Sequence, residues 1–362
     1  MTSTLEPRAA IAVHPVAAPR PLPDPATLGF GRIFSDHMFV AEWADGRWHD
    51  GRVVPHAPLA LDPAAAALHY AQAIFDGHKA YRGADGVVRF FRLADHARRF
   101  ARSAAGLCMP AFPEALYADA LHAIVRADER WVPSVRGTSL YLRPTMIGTE
   151  GFLGVRPAST YTMFVICSPV GSYYGGDALR AVRLWVETDM VRAAKGGIGQ
   201  YKAAANYAAS LRAGEAAKAR GYDQVLWLDA ARHEGLEEVG TMNLFVRFRD
   251  EVATPPLDGT ILPGITRDSV LKLLAHWGVP HRERAVSLAE LRAAHAKGDV
   301  LEVFGSGTAA VISPVGALGT AAGELVIGDG GPGELAKRLY AAITGIQYGE
   351  QDDPFGWMTV LG

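Results

Sequence analysis

The chain has 362 residues, 49% of them hydrophobic, and 36 basic residues against 38 acidic ones give a formal net charge of −2. This length allows two or three domains with sizeable cores, and the even charge balance argues against a nucleic-acid partner or a membrane-surface partner. The two cysteines, Cys108 and Cys167, are far apart, and no apolar run is long enough to cross a bilayer, so we expect no disulfide framework, no metal site and a cytoplasmic protein.

Composition divides the chain into segments. Residues 1–27 are rich in proline and alanine, which predicts a loosely ordered arm on the surface. Turn-forming residues are dense again from 169 to 176, which predicts an interdomain connector. The predicted organisation is therefore an arm (1–27), a small domain (28–170), a connector (171–181) and a large domain (182–362).

Periodicity and turn signals predict the elements of both domains. In the small domain they predict hairpins at 38–49 and 79–91, helices at about 62–75, 94–106 and 113–127, and strands at 138–146 and 161–168. In the large domain they predict strands at 179–187, 224–228, 243–248 and 300–304, and helices ending near 220, beginning at 266 and spanning about 333–346. Strands and helices are interspersed, which favours an α+β or mixed α/β fold over a doubly wound sheet.

Lys202 is the most informative residue of the large domain. It follows a glycine-containing loop at residues 196–201 and precedes three alanines, so it has the least polar neighbours of the seven lysines. Burial lowers a lysine pKa from its reference of about 10.4, and a lysine that is neutral part of the time attacks carbonyl carbon. This pattern points to Schiff-base chemistry, but most lysines are solvated ammonium groups, so a second feature is required.

Glu238 supplies part of that second feature. It ends a polar run just before a strand, where a solvated carboxylate and a functional one are about equally common. If a pyridoxal phosphate ring lay between Lys202 and Glu238, the carboxylate would keep the ring nitrogen protonated, so that the ring could act as an electron sink.

Phosphate binding is the third requirement, and two segments are candidates. Gly264-Ile265-Thr266 opens a predicted helix, whose N-terminal amides suit an anion. Gly305-Ser306-Gly307-Thr308 follows a strand and allows close backbone approach. Arg99 or Arg192 could add positive charge. Each segment is weak by itself; the sequence has no Walker loop, no dinucleotide fingerprint after a strand, no metal-ligand spacing and no nucleophile elbow.

Four motifs in this order resemble the branched-chain amino-acid aminotransferases. They are Gly199-Gln200-Tyr201-Lys202 with Asn206-Tyr207, Glu238-Val239-Gly240-Thr241-Met242-Asn243, Leu262-Pro263-Gly264, and Val303-Phe304-Gly305-Ser306-Gly307-Thr308-Ala309. The likeness covers most of the chain and is weakest in the arm. That family consists of pyridoxal-phosphate enzymes of fold type IV, so the resemblance implies a small N-terminal domain, a larger C-terminal domain and a cofactor at the domain interface.

The resemblance also implies roles around the cofactor. Lys202 would form the imine and later move the proton between Cα and the cofactor's C4′ atom. Tyr207 would bind the phenolic oxygen, and Glu238 the ring nitrogen. The remaining cofactor-binding residues would be Arg99, the Ile265 and Thr266 amides and Thr308 at the phosphate, with Arg192 as a further helper, and Thr241 against the ring.

A substrate pocket is implied in the same way. Its lining would be Phe30, Tyr70, Phe75, Tyr141 and Tyr173, with Tyr141 and the Thr308-Ala309 backbone at the α-carboxylate and Arg143 at the distal carboxylate of glutamate. Core packing explains Phe75 about as well. Branched side chains gain roughly 25 cal/mol per Å² on leaving water, whereas a glutamate carboxylate needs a cation or donors.

Two departures from the family pattern stand out. Many relatives have Phe-Glu-Gly-Met-Lys where this chain has Phe75-Asp76-Gly77-His78-Lys79, which could alter the wall of the small domain. The C-x-x-C pair of some animal relatives is absent after Ala309, so we expect no thiol switch.

The primary hypothesis is a reversible ping-pong transfer of the amino group between leucine, isoleucine or valine and 2-oxoglutarate, with glutamate and 2-oxo acids as the other reactants. One alternative is another fold-type-IV enzyme, such as a D-amino-acid aminotransferase or aminodeoxychorismate lyase. A different class of alternative is a non-enzymatic small-molecule-binding protein. The resemblance further implies a homodimer.

Overall fold

The computed structural model describes residues 11–171 and 179–362, which form two compact units. The first unit contains the described residues up to Gly171 together with Thr359–Gly362, and the second ends at Met358. The last four residues were predicted to lie in the large domain, but they belong to the first unit. One reason is that the Leu361 N–H donates to the Val88 carbonyl. Most of the predicted connector falls on residues 172–178, outside the described residues.

The first unit is a ten-stranded sheet with helices packed on it. Its strands are β1 (Ala12–Val13), β2 (His37–Ala44), β3 (Arg47–Trp48), β4 (Arg52–Pro55), β5 (Ala73–Phe75), β6 (His78–Arg82), β7 (Val88–Phe91), β8 (Ser139–Gly148), β9 (Tyr161–Val170) and β19 (Met358–Val360). Its helices are α1 (Ala66–Tyr70), α2 (Leu93–Gly106) and α3 (Glu114–Ala127), with single 3₁₀ turns at Pro25–Thr27 and Glu129–Trp131. The strand order is β1-β4-β2-β9-β8-β6-β7-β19, with β3 on β2 and β5 on β8.

Helical spacing in α2 places its apolar side chains in the core of the first unit. Leu93, Ala97, Phe100 and Ala104 recur every three or four residues and are all buried against the sheet. Burying one large apolar side chain stabilises the fold by roughly 1.5–3 kcal/mol, so this face fixes α2 on the sheet.

The predicted helix at 62–75 is wrong in its second half. Helix α1 ends where Ala71 adopts a left-handed conformation with φ 51°. Residues Ala73–Phe75 form β5 instead, with Phe75 opposite Thr145 of β8. A short apolar run is compatible with helix or strand, and pairing with an existing sheet decides between them here.

The described part of the predicted arm, residues 11–27, is not loosely ordered. Strand β1 pairs in parallel with β4. The Arg20 N–H donates to Asp36 Oδ1 at 2.9 Å, and Asp36 also accepts from the Trp131 indole at 2.9 Å. These long-range hydrogen bonds hold a segment that has no apolar periodicity of its own.

Over residues 179–358, the second unit has a nine-stranded sheet and four helices. Its strands are β10 (Val182–Val186), β11 (Gln224–Leu228), β12 (Leu236–Val239), β13 (Met242–Phe248), β14 (Val252–Thr254), β15 (His281–Glu283), β16 (Val300–Gly307), β17 (Val311–Thr320) and β18 (Gly323–Val326). Its helices are α4 (Ala204–Ala219), α5 (Ile265–His276), α6 (Leu288–Ala296) and α7 (Glu334–Tyr348). The order is β12-β11-β10-β17-β16-β13-β14-β15, with β18 on β17.

Six of these strands close into a barrel, because β12 also pairs with β13. Alternate residues of β10 (Val182, Leu184 and Val186) join the buried cluster with Leu226 and Leu244. Alternation of this kind fills the interior of a small barrel with side chains. Parallel and antiparallel pairings occur together in the sheet, and the mixed α/β class predicted from the sequence is confirmed. Among the described residues, no helix is both long enough and apolar enough to cross a bilayer.

Candidate active site

The loop before Lys202, here called the lysine loop (residues 196–201), is held from two sides. Asn206, in the first turn of α4, donates through Nδ2 to the carbonyls of Ile198 and Tyr201, both at 2.9 Å. A Cβ atom on Gly199 would lie 2.4 Å from the Thr260 carbonyl oxygen, so only glycine fits there. The loop therefore delivers Lys202 to the start of α4 in a defined position.

Lys202 and Tyr207 form a hydrogen-bonded pair. The Lys202 Nζ atom donates to the Tyr207 hydroxyl at 2.8 Å and lies 5.3 Å from the centre of the ring. Lys202 is half-buried, not fully buried as its alanine neighbours suggested. A half-buried amine with a fixed direction is accessible to a small molecule and is already oriented.

A two-residue turn places Glu238 opposite Asn243. Strands β12 and β13 are joined by Gly240 and Thr241, with φ 55° at Gly240, and Glu238 pairs across the ladder with Asn243. Turns of this length need a residue that tolerates positive φ. Trp227 stabilises the turn, because its indole N–H donates to the Gly240 carbonyl at 3.0 Å.

The Glu238 carboxylate is buried and fixed at one oxygen by two donors. Its Oε1 atom accepts from Asn243 Nδ2 at 3.1 Å and from the Leu262 N–H at 3.3 Å. Asn243 Nδ2 also donates to the Leu262 carbonyl at 2.9 Å. The carboxylate orientation thus depends on Asn243, a residue to which the sequence assigned no role.

Arg192 lies against the other oxygen of the same carboxylate. Its Nε atom is 2.5 Å from Glu238 Oε2, and both side chains are almost fully buried. Its Nη2 atom donates to the carbonyl of Gly199 at 3.2 Å and to the carbonyl of Thr260. The structure therefore pairs Arg192 with the predicted ring-nitrogen acid; its predicted role as a phosphate helper stays a prediction.

Burial and charge act in opposite directions on the two neighbouring acids. Burial raises the pKa of Glu238, and the Arg192 guanidinium offsets part of this effect. Burial also raises the pKa of Glu237 to about 7, against a hydrogen bond from Thr260 and the charge of Arg192. Arg192 thus counters part of the cost of burying both carboxyl groups, and Lys202 adds a smaller effect at Glu238.

Several predicted cofactor residues share one small cavity of the second unit. Arg192, Tyr207, Glu238 and Thr241 line it, together with Asn206, Ser210, Gly240 and Leu262. The sequence predicted the first four of these residues as cofactor-binding, and the structure brings them together.

The two predicted phosphate segments are connected to the same region through Asn243. Ile265 and Thr266 are the first two residues of α5, where backbone N–H groups have no carbonyl of the same helix to bind. A Cβ atom on Gly264 would lie 1.9 Å from Asn243 Oδ1. Asn243 also pairs across the ladder with Ser306 of β16, just before the turn that contains Thr308 and Ala309.

In the first unit, four predicted substrate-pocket residues are linked by a chain of contacts. The Phe30 and Tyr141 ring centres are 4.9 Å apart. The Arg143 guanidinium lies 4.7 Å from the centre of the Phe75 ring, and its Nη2 atom donates to the Tyr141 hydroxyl at 3.0 Å. A Cβ atom on Gly77 would lie 2.1 Å from that hydroxyl. The glycine therefore makes room for Tyr141.

The other two pocket predictions have different outcomes. Tyr70 ends the short helix α1, apart from the contacts just described, with 39% of its surface exposed. Tyr173 lies outside the described residues.

Arg99 is buried on α2 and paired with Asp76. Its Nε and Nη2 atoms donate to the two Asp76 oxygens at 2.9 and 2.6 Å, and His96 Nδ1 lies 2.9 Å from Asp76 Oδ1. His78 Nε2 is 2.7 Å from the Tyr117 hydroxyl. Asp76, His78 and His96 are close enough together to resemble a metal site, but the guanidinium already neutralises Asp76 and would repel a cation.

Comparison with known proteins shows the family to which the chain belongs. The family model described as amino-transferase class IV matches residues 73–318. The chain is 49% identical over 336 residues to branched-chain-amino-acid transaminase 1 of Bacillus subtilis (strain 168), covering 92% of this chain and 94% of that protein. It is 47% identical over 338 residues to a probable branched-chain-amino-acid aminotransferase of Streptomyces coelicolor, covering 93% of each.

Solved structures of branched-chain amino acid aminotransferases also superpose on the chain. The crystal structure of the Escherichia coli branched-chain amino acid aminotransferase superposes with a TM-score of 0.75 at 29% identity, covering 89% of this chain and 99% of that one. The T.th. branched-chain amino acid aminotransferase with pyridoxamine 5'-phosphate gives a TM-score of 0.72 at 28% identity, covering 89% and 98%. The family model alone matches more than half of the chain, and the chain therefore belongs to the class IV aminotransferases.

Proposed function

We propose that this protein is a branched-chain-amino-acid transaminase. It transfers an amino group reversibly between leucine, isoleucine or valine and 2-oxoglutarate, with pyridoxal 5'-phosphate as its cofactor. The relatives above carry that activity in their names. The single observation that supports it most is the pairing of the Lys202 amine with the Tyr207 hydroxyl at 2.8 Å, beside a cavity that Tyr207 shares with the buried Glu238 carboxylate.

The donors and acceptors of the second unit fit pyridoxal 5'-phosphate. The cofactor has a ring nitrogen that needs an acid, a phenolic oxygen that needs donors and a phosphate that needs amides. Glu238, Tyr207 and the first amides of α5 supply these three kinds of group. When bound, the cofactor withdraws the electron pair left on the substrate Cα as its proton departs.

Lys202 carries the proton transfer in this proposal. Its amine accepts a proton from the substrate Cα and returns one, which is general acid–base work by a positioned side chain. The Tyr207 hydroxyl fixes the direction of the amine, and the lysine loop fixes its backbone. Positioning of this kind supplies much of the barrier reduction in such reactions.

Glu238 holds a proton at the ring nitrogen. Its Oε1 atom is fixed by Asn243 and by the Leu262 N–H, so the carboxylate does not need to reorient when the ring arrives. Preorganised groups of this kind cost little reorganisation at the moment of reaction.

We assign the substrate side chain to the aromatic group of Phe30, Phe75 and Tyr141, with Arg143 at the distal carboxylate of glutamate. Arg143 Nε is buried and has no hydrogen-bond partner among the described residues. A buried N–H without a partner costs free energy, and a carboxylate would satisfy it. Arg99, Ile265, Thr266, Thr308 and Ala309 stay predicted ligands of the phosphate and the α-carboxylate.

We also propose a cytoplasmic homodimer. Leu68 and Tyr70 on α1 and Leu153 and Val155 on the loop after β8 are exposed by 60%, 39%, 74% and 90%. The Phe152 N–H donates to the Ala64 carbonyl, which ties that loop to the start of α1. Grouped apolar exposure of this kind marks protein interfaces. Light scattering of the purified protein checks the dimer, and Val155→Asp should shift it towards monomer.

The test of the proposed function is spectroscopic and kinetic. The purified protein with pyridoxal 5'-phosphate should show a visible absorption band that L-leucine removes and 2-oxoglutarate restores. Lys202→Ala should abolish both changes, while Lys218→Ala, at an exposed lysine of α4, should keep them. A response to D-alanine or to aminodeoxychorismate with none to L-leucine would contradict the proposal.

A further inference from the structure

Arg192 connects three separate parts of the second unit. Its guanidinium contacts the Glu238 carboxylate on β12, the carbonyl of Gly199 in the lysine loop and the carbonyl of Thr260 in the 258–262 segment. These contacts are almost entirely buried, since the exposed fraction of the Arg192 side chain is 8%. The same residue therefore fixes the acid and the segment that leads to the reactive amine.

We propose that Arg192 is a positioning residue that acts through Glu238 and the lysine loop, and that it is not a ligand of the cofactor phosphate. The inference rests on the proposed function, since it gives Glu238 its partner in the ring nitrogen. Arg192 is thereby assigned to the side of the cofactor site that holds Glu238. The resemblance alone had assigned it to the phosphate.

The shape of the guanidinium explains why arginine is needed here. A planar fork with five N–H donors can meet a carboxylate with one edge and carbonyls with another. Lysine offers a compact charge on a flexible stem and cannot reproduce that geometry. Gly199 makes the arrangement possible, because any side chain there would displace the Thr260 carbonyl that Arg192 binds.

The positive charge of Arg192 also stabilises the acidic groups around it. Glu237 and Glu238 follow each other on β12, and Asp258 faces Glu237 from the 258–262 segment. Without Arg192, the buried Glu238 carboxylate would keep only the more weakly acting Lys202 charge near it and would bind a proton more readily. A protonated Glu238 could no longer stabilise a proton on the ring nitrogen.

The experiment compares the cofactor with its phosphate-free form. Dissociation constants of pyridoxal 5'-phosphate and of pyridoxal are measured for the wild type, Arg192→Lys and Arg192→Gln by equilibrium dialysis. A positioning role predicts that both ligands weaken together, by about ten- to a hundredfold in Arg192→Gln. A phosphate ligand would weaken the phosphorylated form alone, and that result would overturn the inference. Arg249→Gln, which removes an exposed ion pair with Asp299, is the matched control.

A double substitution separates positioning from general loss of structure. The pH at which the visible band of the bound cofactor changes is measured for Arg192→Gln, Glu238→Gln and the double variant. If Arg192 acts through Glu238 as well as through the lysine loop, its substitution shifts that pH by more in the wild-type background than in the Glu238→Gln background. Equal shifts in both backgrounds would overturn the inference.

The cofactor-free protein supplies a readout that does not depend on the proposed function. Amide hydrogen exchange at residues 196–201 and 258–262 should become at least about tenfold faster in Arg192→Gln, because two carbonyls lose their donor. Unchanged exchange there would contradict the positioning role even if the wild type binds the cofactor. If exchange is faster in Arg192→Gln but the wild type binds no cofactor, Arg192 remains the link between these segments and only the proposed function is rejected.

Discussion

Asn243 Nδ2 lies 3.1 Å from Glu238 Oε1, across a hairpin whose turn contains only Gly240 and Thr241. The same nitrogen donates to the Leu262 carbonyl at 2.9 Å. One amide group thus joins the acid on β12 to the segment that leads into α5. The hairpin motif therefore fixes the orientation of the Glu238 carboxylate. The acid, the two-residue turn and the cross-strand donor all lie within the six residues from Glu238 to Asn243.

Asn243→Asp should weaken cofactor binding more than Asn243→Ala does. Alanine removes the donor, which costs about 1–3 kcal/mol when a buried acceptor is left unsatisfied. Aspartate adds a like charge 3.1 Å from a carboxylate and raises the pKa of the pair. Dissociation constants for pyridoxal 5'-phosphate and urea unfolding of the apoprotein check both effects. Equal constants for the two variants would show that charge at this position is unimportant.

Tyr207→Phe should lower kcat by about ten- to a hundredfold while keeping the fold. The substitution removes the hydroxyl that orients the Lys202 amine and leaves the ring in place. Steady-state kinetics with leucine and 2-oxoglutarate provide the measurement. Tyr340→Phe, at a half-buried tyrosine of α7, serves as the control. A normal kcat in Tyr207→Phe would mean that the lysine loop alone orients the amine.

Glu237 makes stability depend on pH. Its pKa is about 7 in the folded protein, against an ordinary value of 4.5. Between these values the folded state binds more protons than the unfolded state, so the free energy of unfolding falls as pH rises from about 4.5 to 7. Glu237→Gln should remove that decrease and stabilise the protein at neutral pH by about 1–2 kcal/mol, after allowance for solvent screening. Urea unfolding from pH 4.5 to 8 tests it, and parallel curves for the two proteins would refute it.

Asp76→Asn should destabilise the first unit by about 3–5 kcal/mol, because it leaves the Arg99 guanidinium buried without its anion. Burial opposes ionisation of Asp76, but Arg99 and His96 hold its pKa well below the usual range. The ion pair therefore contributes fully at neutral pH, and its contribution is lost only as pH falls below the ordinary value. Asp85→Asn, which removes an exposed pair with Arg89, should cost much less stability, because solvent screens that pair. Similar losses in the two variants would argue that burial of the Asp76 pair is unimportant.

Local signals predicted much of the second unit. The glycine loop, the lysine and the hairpin motif are each contiguous in sequence, so family membership and the mixed α/β class could be inferred, and both are confirmed. Closure of the barrel through β12 and β13, and the strand β5, could not be inferred, because pairing with distant strands decides both.

The sequence also could not predict the roles of residues that act through tertiary contacts. Asn243 and Asn206 stand in the quoted motifs, but their amides bind groups 5 to 19 positions away. Arg192 meets a carboxylate that is distant along the chain, and only the fold brings the two together. The ion pair of Asp76 with Arg99 likewise joins a residue between β5 and β6 to a residue of α2 that is 23 positions away.

Arg143→Gln should weaken the recognition of glutamate much more than the recognition of leucine. The guanidinium lies over the Phe75 ring and donates to Tyr141, and its buried Nε atom has no partner among the described residues. Loss of this cation should raise KM for glutamate and 2-oxoglutarate by about tenfold or more, because a charge-assisted hydrogen bond to the distal carboxylate disappears. KM for leucine should change by less than about threefold, since the leucine side chain carries no charge that Arg143 could bind.

Half-reactions followed at the cofactor absorption band measure each substrate separately, and Arg89→Gln, at the exposed ion pair with Asp85, is the control. An equal rise for leucine and glutamate would place Arg143 in the packing of the aromatic group instead of in recognition of the second carboxylate.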